Sequence, residues 1–178
     1  MRWNIDPTHS TAEFSVRHLM ITNVRGRFGK LSGVIEYDPE GKGPAAVEAT
    51  IDVSSIDTRD ANRDTHLRSP DFFDVEQFPT ITFKSRSVTG ADGAFRAVGD
   101  LTMHGVTHEV VLEVEELSQP TKDPWGNLRI GASAHTKINR KDWGLGWNQL
   151  LEAGGVAVGE IVKISLEISM VHAAATAA

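Results

Sequence analysis

The chain has 178 residues, a formal net charge of −6, seven histidines and no cysteine. That length suits one domain with a sizeable core, expected over residues 1–172 with a frayed low-complexity tail at 173–178. An acidic balance without a run of Lys and Arg speaks against a phosphate-tracking nucleic-acid surface, and the lack of cysteine excludes disulfides and thiolate metal sites.

Trp3–Asp6 reads as a short strand ended by Pro7. Thr11–Leu19 alternates with a period of two, placing Phe14, Val16 and His18 on one face. Met20–Arg27 is apolar but unevenly spaced, and Gly26 is expected to turn the chain. Leu31–Tyr37 is a strand closed by the turn Asp38-Pro39-Glu40-Gly41. Ala46–Ser54 alternates most cleanly, with Ile51 and Val53 on its apolar face.

The alternation then stops over Thr58–Phe83. Asp57 or Thr58 is a candidate helix cap, Asp64 and Arg68 have the spacing of a helix-surface ion pair, and Ser69-Pro70 reads as a second helix start. Leu67, Phe72 and Phe73 are too apolar for water, so the segment is expected to lie over an open barrel end as a lid.

Strands resume at Thr80–Val88, Ala94–Met103, His108–Leu117, Leu128–Ile138 and Glu160–Val171. Ala132 and Ala134 thin one face and leave room beside it. Asn139–Gly155 is a long loop with Trp143 and Trp147, which either rim a ligand mouth or plug a barrel end. Eight main strands with hairpin-type turns and one helical insert predict an all-β, eight-stranded antiparallel up-and-down barrel. Strands of this length span roughly 30–40 Å, giving a narrow lumen suited to a long, thin guest.

Chemistry is sparse. His104 and His108 flank a turn without a carboxylate or thiol to complete a metal set, so hydrogen-bonding roles are expected instead. No G-x-S-x-G or phosphate-binding glycine loop is present. Asp6, His9 and Ser10 read as turn residues bonding local backbone. The opening MRWNID has no apolar leader and no run is long enough to span a bilayer, so a cytoplasmic location is expected, or a periplasmic one if a leader has been removed.

The segments WNIDPTHSTAEFSVRHL, VRGRFGKLSGVIEYDP, SSIDTRDANRDTHLRSPDFFDVEQFPTITFKS, VGDLTMHGVTHEVVLEV and INRKDWGLGW are together similar to the YceI-like family of polyisoprenoid-binding proteins. The RD-x-HL-x-S-x-x-FFD insert and the G-x-LT-x-HGVT turn are its distinctive motifs. The resemblance implies a lipocalin-like barrel whose lumen takes a polyisoprenoid, an isoprenoid quinone or a fatty amide-like lipid, without catalysis, and it implies a homodimer. Periodicity assigns Phe14, Val16, His18, Ile35, Ile51, Val53, Phe83, Leu101 and Met103 to the lumen, and Leu67, Phe72, Phe73, Trp143 and Trp147 are the candidates for its mouth. The alternatives are a lipid-modifying enzyme built on His18 with a carboxylate, and a filled barrel acting through protein–protein contacts.

Overall fold

The computed structural model describes residues 1–41 and 43–172, and the tail expected at 173–178 lies outside them. The chain opens with β1 (Arg2–Ile5) and β2 (Thr11–His18), followed by β3 (Thr22–Phe28) and β4 (Leu31–Asp38). These are two long strands, each interrupted once. β1 and β2 both run antiparallel to one partner near the C-terminus, β12 (Val158–His172), with Trp3 opposite His172 and Phe14 opposite Ile164. β3 and β4 pair with β2 and β1 in turn.

The remaining strands follow as a meander. β5 (Gly43–Asp52) pairs with β4, and the short β6 (Ile56–Asp57) with β3. After helix α1 (Ala61–Arg68) come β7 (Thr80–Ala91), which pairs with β5, then β8 (Ala94–Met103) on β7 and β9 (Val106–Glu115) on β8. β10 (Thr121–Lys122) is a small flap on β11 (Leu128–Asn139). β11 pairs along its length with β12, from Arg129–Val171 to Asn139–Ile161, and β12 returns to β1 and β2. Counting each interrupted strand once, this is a closed eight-stranded up-and-down antiparallel barrel, as the turn spacing predicted. Closure leaves no long free edge to template aggregation.

Thr22–Arg27, most of the stretch whose uneven spacing suggested a turn at Gly26, is strand. Gly26 lies inside β3, opposite Phe14. A Cβ there would overlap the Phe14 ring and approach the Thr58 methyl to 2.9 Å. The glycine provides space for an inward aromatic, which is a different reason for glycine in a strand from a turn. The actual turn is at Leu19 and Met20, both at positive φ (49° and 60°).

One barrel end is packed shut. Trp3, fully buried, donates its indole N–H to the Tyr37 carbonyl at 3.0 Å and packs with Ile5, Ile35, Ile130 and Met170. At the opposite end β9 and β11 pair only through Glu113–Glu115 and Ser133–His135, and then part. A 3₁₀ turn at Arg140–Trp143 fills the gap. Trp143 is 2% exposed and donates to the Leu101 carbonyl at 3.0 Å, while the Asp142 carbonyl accepts from His108 Nε2 at 2.8 Å.

The helix is shorter than the predicted insert. Asp60 is its N-cap and accepts from the Arg63 N–H. Asp64 forms no surface pair with Arg68: it is buried and accepts from the Thr58 N–H and hydroxyl at 2.9 and 2.5 Å. Arg68 instead donates to the Ser54 and Ile56 carbonyls. Ser69 closes α1 rather than opening a second helix, and residues 70–77 are mostly turns.

Candidate functional site

The inward faces of the barrel strands enclose a cavity of about 240 Å³. This is well above the ~10–15 Å³ that admits one water, so the barrel is not filled by its own side chains. Small residues on β11 and β8 create the room: Ala132, Ala134 and Ala97 line the cavity beside Phe83, Phe95 and Leu112. The wall is almost entirely carbon. Its polar members are Thr136, Arg140 and the exposed Glu13, which sits between Ala12 and Phe14.

Arg140 is buried, yet among the described residues no carboxylate pairs with it directly. Its guanidinium donates to the carbonyls of Gly159 (2.7 Å), Leu145 (2.5 Å), Trp147 (3.0 Å) and Val158 (3.2 Å). Burial pushes its pKa down and Glu160 partly opposes that. An arginine keeps its proton in such a setting. It therefore acts as a clasp, tying the Gly-rich loop after the 3₁₀ turn onto the start of β12.

The lid rests on the same end. Leu67, Phe72 and Phe73 turn into the cavity, and Phe73 meets Phe28 edge-on at 5.9 Å. Phe28 in turn packs on Phe14 at 5.6 Å. Outside, His66 bonds Asp71 at 2.8 Å and sits edge-on to Trp147 at 4.7 Å, while Phe72 lies 5.3 Å from the same indole. The lid is thus stapled from both sides, by aromatic rings below and by Trp147 above.

Ten of the fourteen residues singled out from the sequence line the cavity: Phe14, Val16, Ile35, Ile51, Leu67, Phe72, Phe73, Phe83, Leu101 and Met103. Four do not. Val53 is buried under the lid, because Asp52 accepts from the Ser54 N–H and breaks the alternation into a 3₁₀ turn. His18 lies past the last lining position of β2, opposite Val158, where the pairing register of β12 shifts. That removes it as the titratable lumen residue an enzyme reading required. Trp143 plugs the seam between β9 and β11, and Trp147 covers the lid without reaching the cavity.

Periodicity did not single out Phe28, Ile81, Ile138, Leu145, Ile164 and Leu166 as cavity residues. For Ile164 and Leu166 the signal existed, as regular alternation along β12. For Phe28 it was hidden by the uneven spacing around it. The two turn histidines hold backbone, as expected: His104 Nδ1 bonds the Trp143 carbonyl at 3.1 Å, and carbonyl acceptors require both rings to donate. Among the described residues no group of three or more metal-ligating side chains converges, and no helix is long and apolar enough to cross a membrane.

A closed up-and-down barrel with an apolar internal cavity under an aromatic lid is the architecture of lipocalin-like binding proteins. The match to known proteins is more specific. The YceI-like domain profile covers residues 3–170, and the chain belongs to that family. A UPF0312 protein of Staphylococcus aureus is 38% identical over 162 residues, which are 90% of this chain and 92% of that one. The crystal structure of a Campylobacter jejuni YceI protein superposes with a TM-score of 0.75 at 28% identity, covering 89% of this chain and 90% of that one. The same fold recurs at 19% identity and a TM-score of 0.72 in a polyisoprenoid binding domain from Saccharophagus degradans, covering 96% and 98% of the two chains.

Proposed function

We propose that this protein binds and carries a long-chain isoprenoid-type lipid in the barrel lumen, without catalysis. The observation that carries the reading is the cavity wall, which is almost entirely apolar and in which Arg140 already donates to four carbonyls. Such a wall rewards apolar length. Each buried methylene contributes about 0.8 kcal/mol, so one five-carbon isoprene unit brings roughly 3–4 kcal/mol before the losses of ordering are deducted. Few polar groups are needed for firm binding, and few face the cavity. The Saccharophagus degradans domain of the same fold is described as polyisoprenoid-binding, which supports the class of ligand.

The test is mass spectrometry of organic extracts from purified protein. An isoprenoid or similar long-chain lipid is expected at near one equivalent. Ala132→Phe, which fills the lumen without adding charge, is expected to remove it while circular dichroism stays unchanged. Phe83→Asp places an ionised group in the apolar wall and should also empty the cavity. Wild-type protein repeatedly free of lipid after expression and gentle purification sinks the proposal.

A further inference from the structure

The end of the barrel under the lid carries a surface that the lumen does not explain. The β2–β3 turn presents Met20 (58% exposed) and Ile21 (73%), and Leu150 (83%) projects from the loop beside it. The two loops are joined: the Leu19 N–H donates to the Ala157 carbonyl at 2.8 Å, and Met20 packs against Gly155. Leu19 and Met20 occupy positive φ, where apolar side chains are disfavoured and Gly or Asn is usual. An apolar tip held in that conformation gains nothing in water.

Behind the tip, the outer face of the same strands gathers four cations, with Glu13 the next outward residue of β2 beyond Ser15 and Glu167 farther along β12. Lys137 on β11 is opposite Lys163 on β12, Lys163 is opposite Ser15 on β2, and Ser15 is opposite Arg25 on β3. Arg17 lies one outward position nearer the tip, opposite Asn23. All four cations are exposed, and among the described residues none has a carboxylate within ion-pair distance. Their neighbours are paired: Arg27 with Asp57 at 3.4 Å, and Lys141 with Glu160 at 2.6 Å. In a chain of net charge −6, four unpaired cations on adjoining strands are a local reversal of sign. Ile161 (52% exposed) adds apolar surface among them, and Glu152 is the acidic residue of the Leu150 loop.

We propose that this end docks on a bilayer surface containing anionic lipids, with Met20, Ile21 and Leu150 seated at the headgroup–acyl boundary and Arg17, Arg25, Lys137 and Lys163 facing the headgroups. An apolar tip flanked by cations is the combination that interfacial membrane binding uses. The position has a consequence for the lumen. Val16, Val158 and Val162 line the cavity from the inner face of the strands that carry the tip. A barrel docked here holds the lid end of its cavity against the acyl layer. That consequence rests on the lipid-carrier reading, whereas the docking itself does not.

Co-sedimentation tests it, using vesicles of equal parts phosphatidylcholine and phosphatidylglycerol against vesicles of phosphatidylcholine alone, at low salt. Wild-type protein is expected to sediment with the anionic vesicles and to be released as ionic strength rises. Met20→Asn with Ile21→Ser, in which asparagine suits the left-handed backbone, is expected to weaken binding at least tenfold with no loss of melting temperature. Lys163→Glu is expected to lower partitioning about fivefold or more. Wild-type protein that ignores anionic vesicles overturns the proposal, as do variants that bind as well as wild type. A tip variant that turns a dimer into a monomer on size exclusion while vesicle binding persists also overturns it, by assigning the tip to a second copy. Lipid content is measured on the same samples. An empty lumen with intact vesicle binding tells against the carrier reading alone, and a loaded lumen without vesicle binding tells against docking alone.

Discussion

Arg140 shows how a charged residue can belong to an apolar site without contributing chemistry to it. Its four carbonyl partners span residues 145 to 159, so one side chain closes the loop that would otherwise gape over the cavity. Replacing it with methionine keeps the volume and strands those acceptors. Arg140→Met is expected to cost about 2–4 kcal/mol in urea unfolding, because unsatisfied buried acceptors are expensive even when a loop relaxes. Gly26 is a second residue whose role is spatial. Gly26→Val, which suits a strand by propensity, is expected instead to destabilise by about 1–3 kcal/mol through overlap with Phe14. Combining it with Phe14→Ala should recover part of that loss, which a double-mutant cycle would detect.

At the scale of elements, the lid is bound more tightly to the barrel than its charged sequence suggests. Asp64 receives the Thr58 N–H and hydroxyl, Arg63 donates to the Thr58 hydroxyl and carbonyl, and Arg68 holds the Ser54 and Ile56 carbonyls. Asp64 and Arg68, whose spacing suggested a helix-surface ion pair, are instead two of these anchors. Val53 and Ile56, both nearly fully buried, lie under it, so deleting the whole segment would uncover core as well as cavity. A point variant separates the two effects. Asp64→Ala is expected to raise hydrogen exchange across residues 58–78 and to speed loss of bound lipid several-fold. Exchange in β8 and β12 should change little, because local opening of a lid need not follow global unfolding.

For the whole molecule, the weak point of closure is the excursion Asp6–Ser10 that splits the first barrel strand. It is held by Arg129, which bonds Asp6 at 2.6 Å and Asp123 at 2.8 Å, and by the Ser10 hydroxyl on the Ser169 carbonyl. A hydrogen bond from the Thr8 hydroxyl and then the Arg129 guanidinium hold the Asp6 carboxyl well below the usual range. Arg129, followed by Asn127, lowers Asp123 to about 2. Both carboxylates thus have folded pKa values below their unfolded ones. Their stabilisation is fully present above about pH 4 and is lost as pH falls through the folded values. Arg129→Gln is expected to lower the melting temperature at neutral pH, and the gap from wild type should narrow as pH drops from about 4 towards about 2. A gap that stays constant across that range would count against the assignment. Bound lipid should raise the melting temperature at every pH, since it binds only the folded barrel.

Barrel class, strand number and part of the cavity wall were legible in the sequence, because each inward face of a half-buried sheet must repeat every second residue. Phe83, Leu101 and Met103 were found that way, and Ala132 with Ala134 already indicated a lumen with room in it. Alternation fails wherever a strand is broken or ends. Val53 was misplaced by one Asp52 side-chain bond, His18 by a register shift, and β3 by spacing that serves the Phe14 ring. The polar motifs were visible as motifs, but not their partners: Asp64, Arg68, His104 and Arg140 all bond backbone outside their own helix or turn. The four outward cations show the same limit, for they sit at positions 17, 25, 137 and 163 and form no run in the chain. Local periodicity decided which face each residue takes. Only closure of the barrel, which sets β11, β12, β2 and β3 side by side, decided which of those faces share a surface.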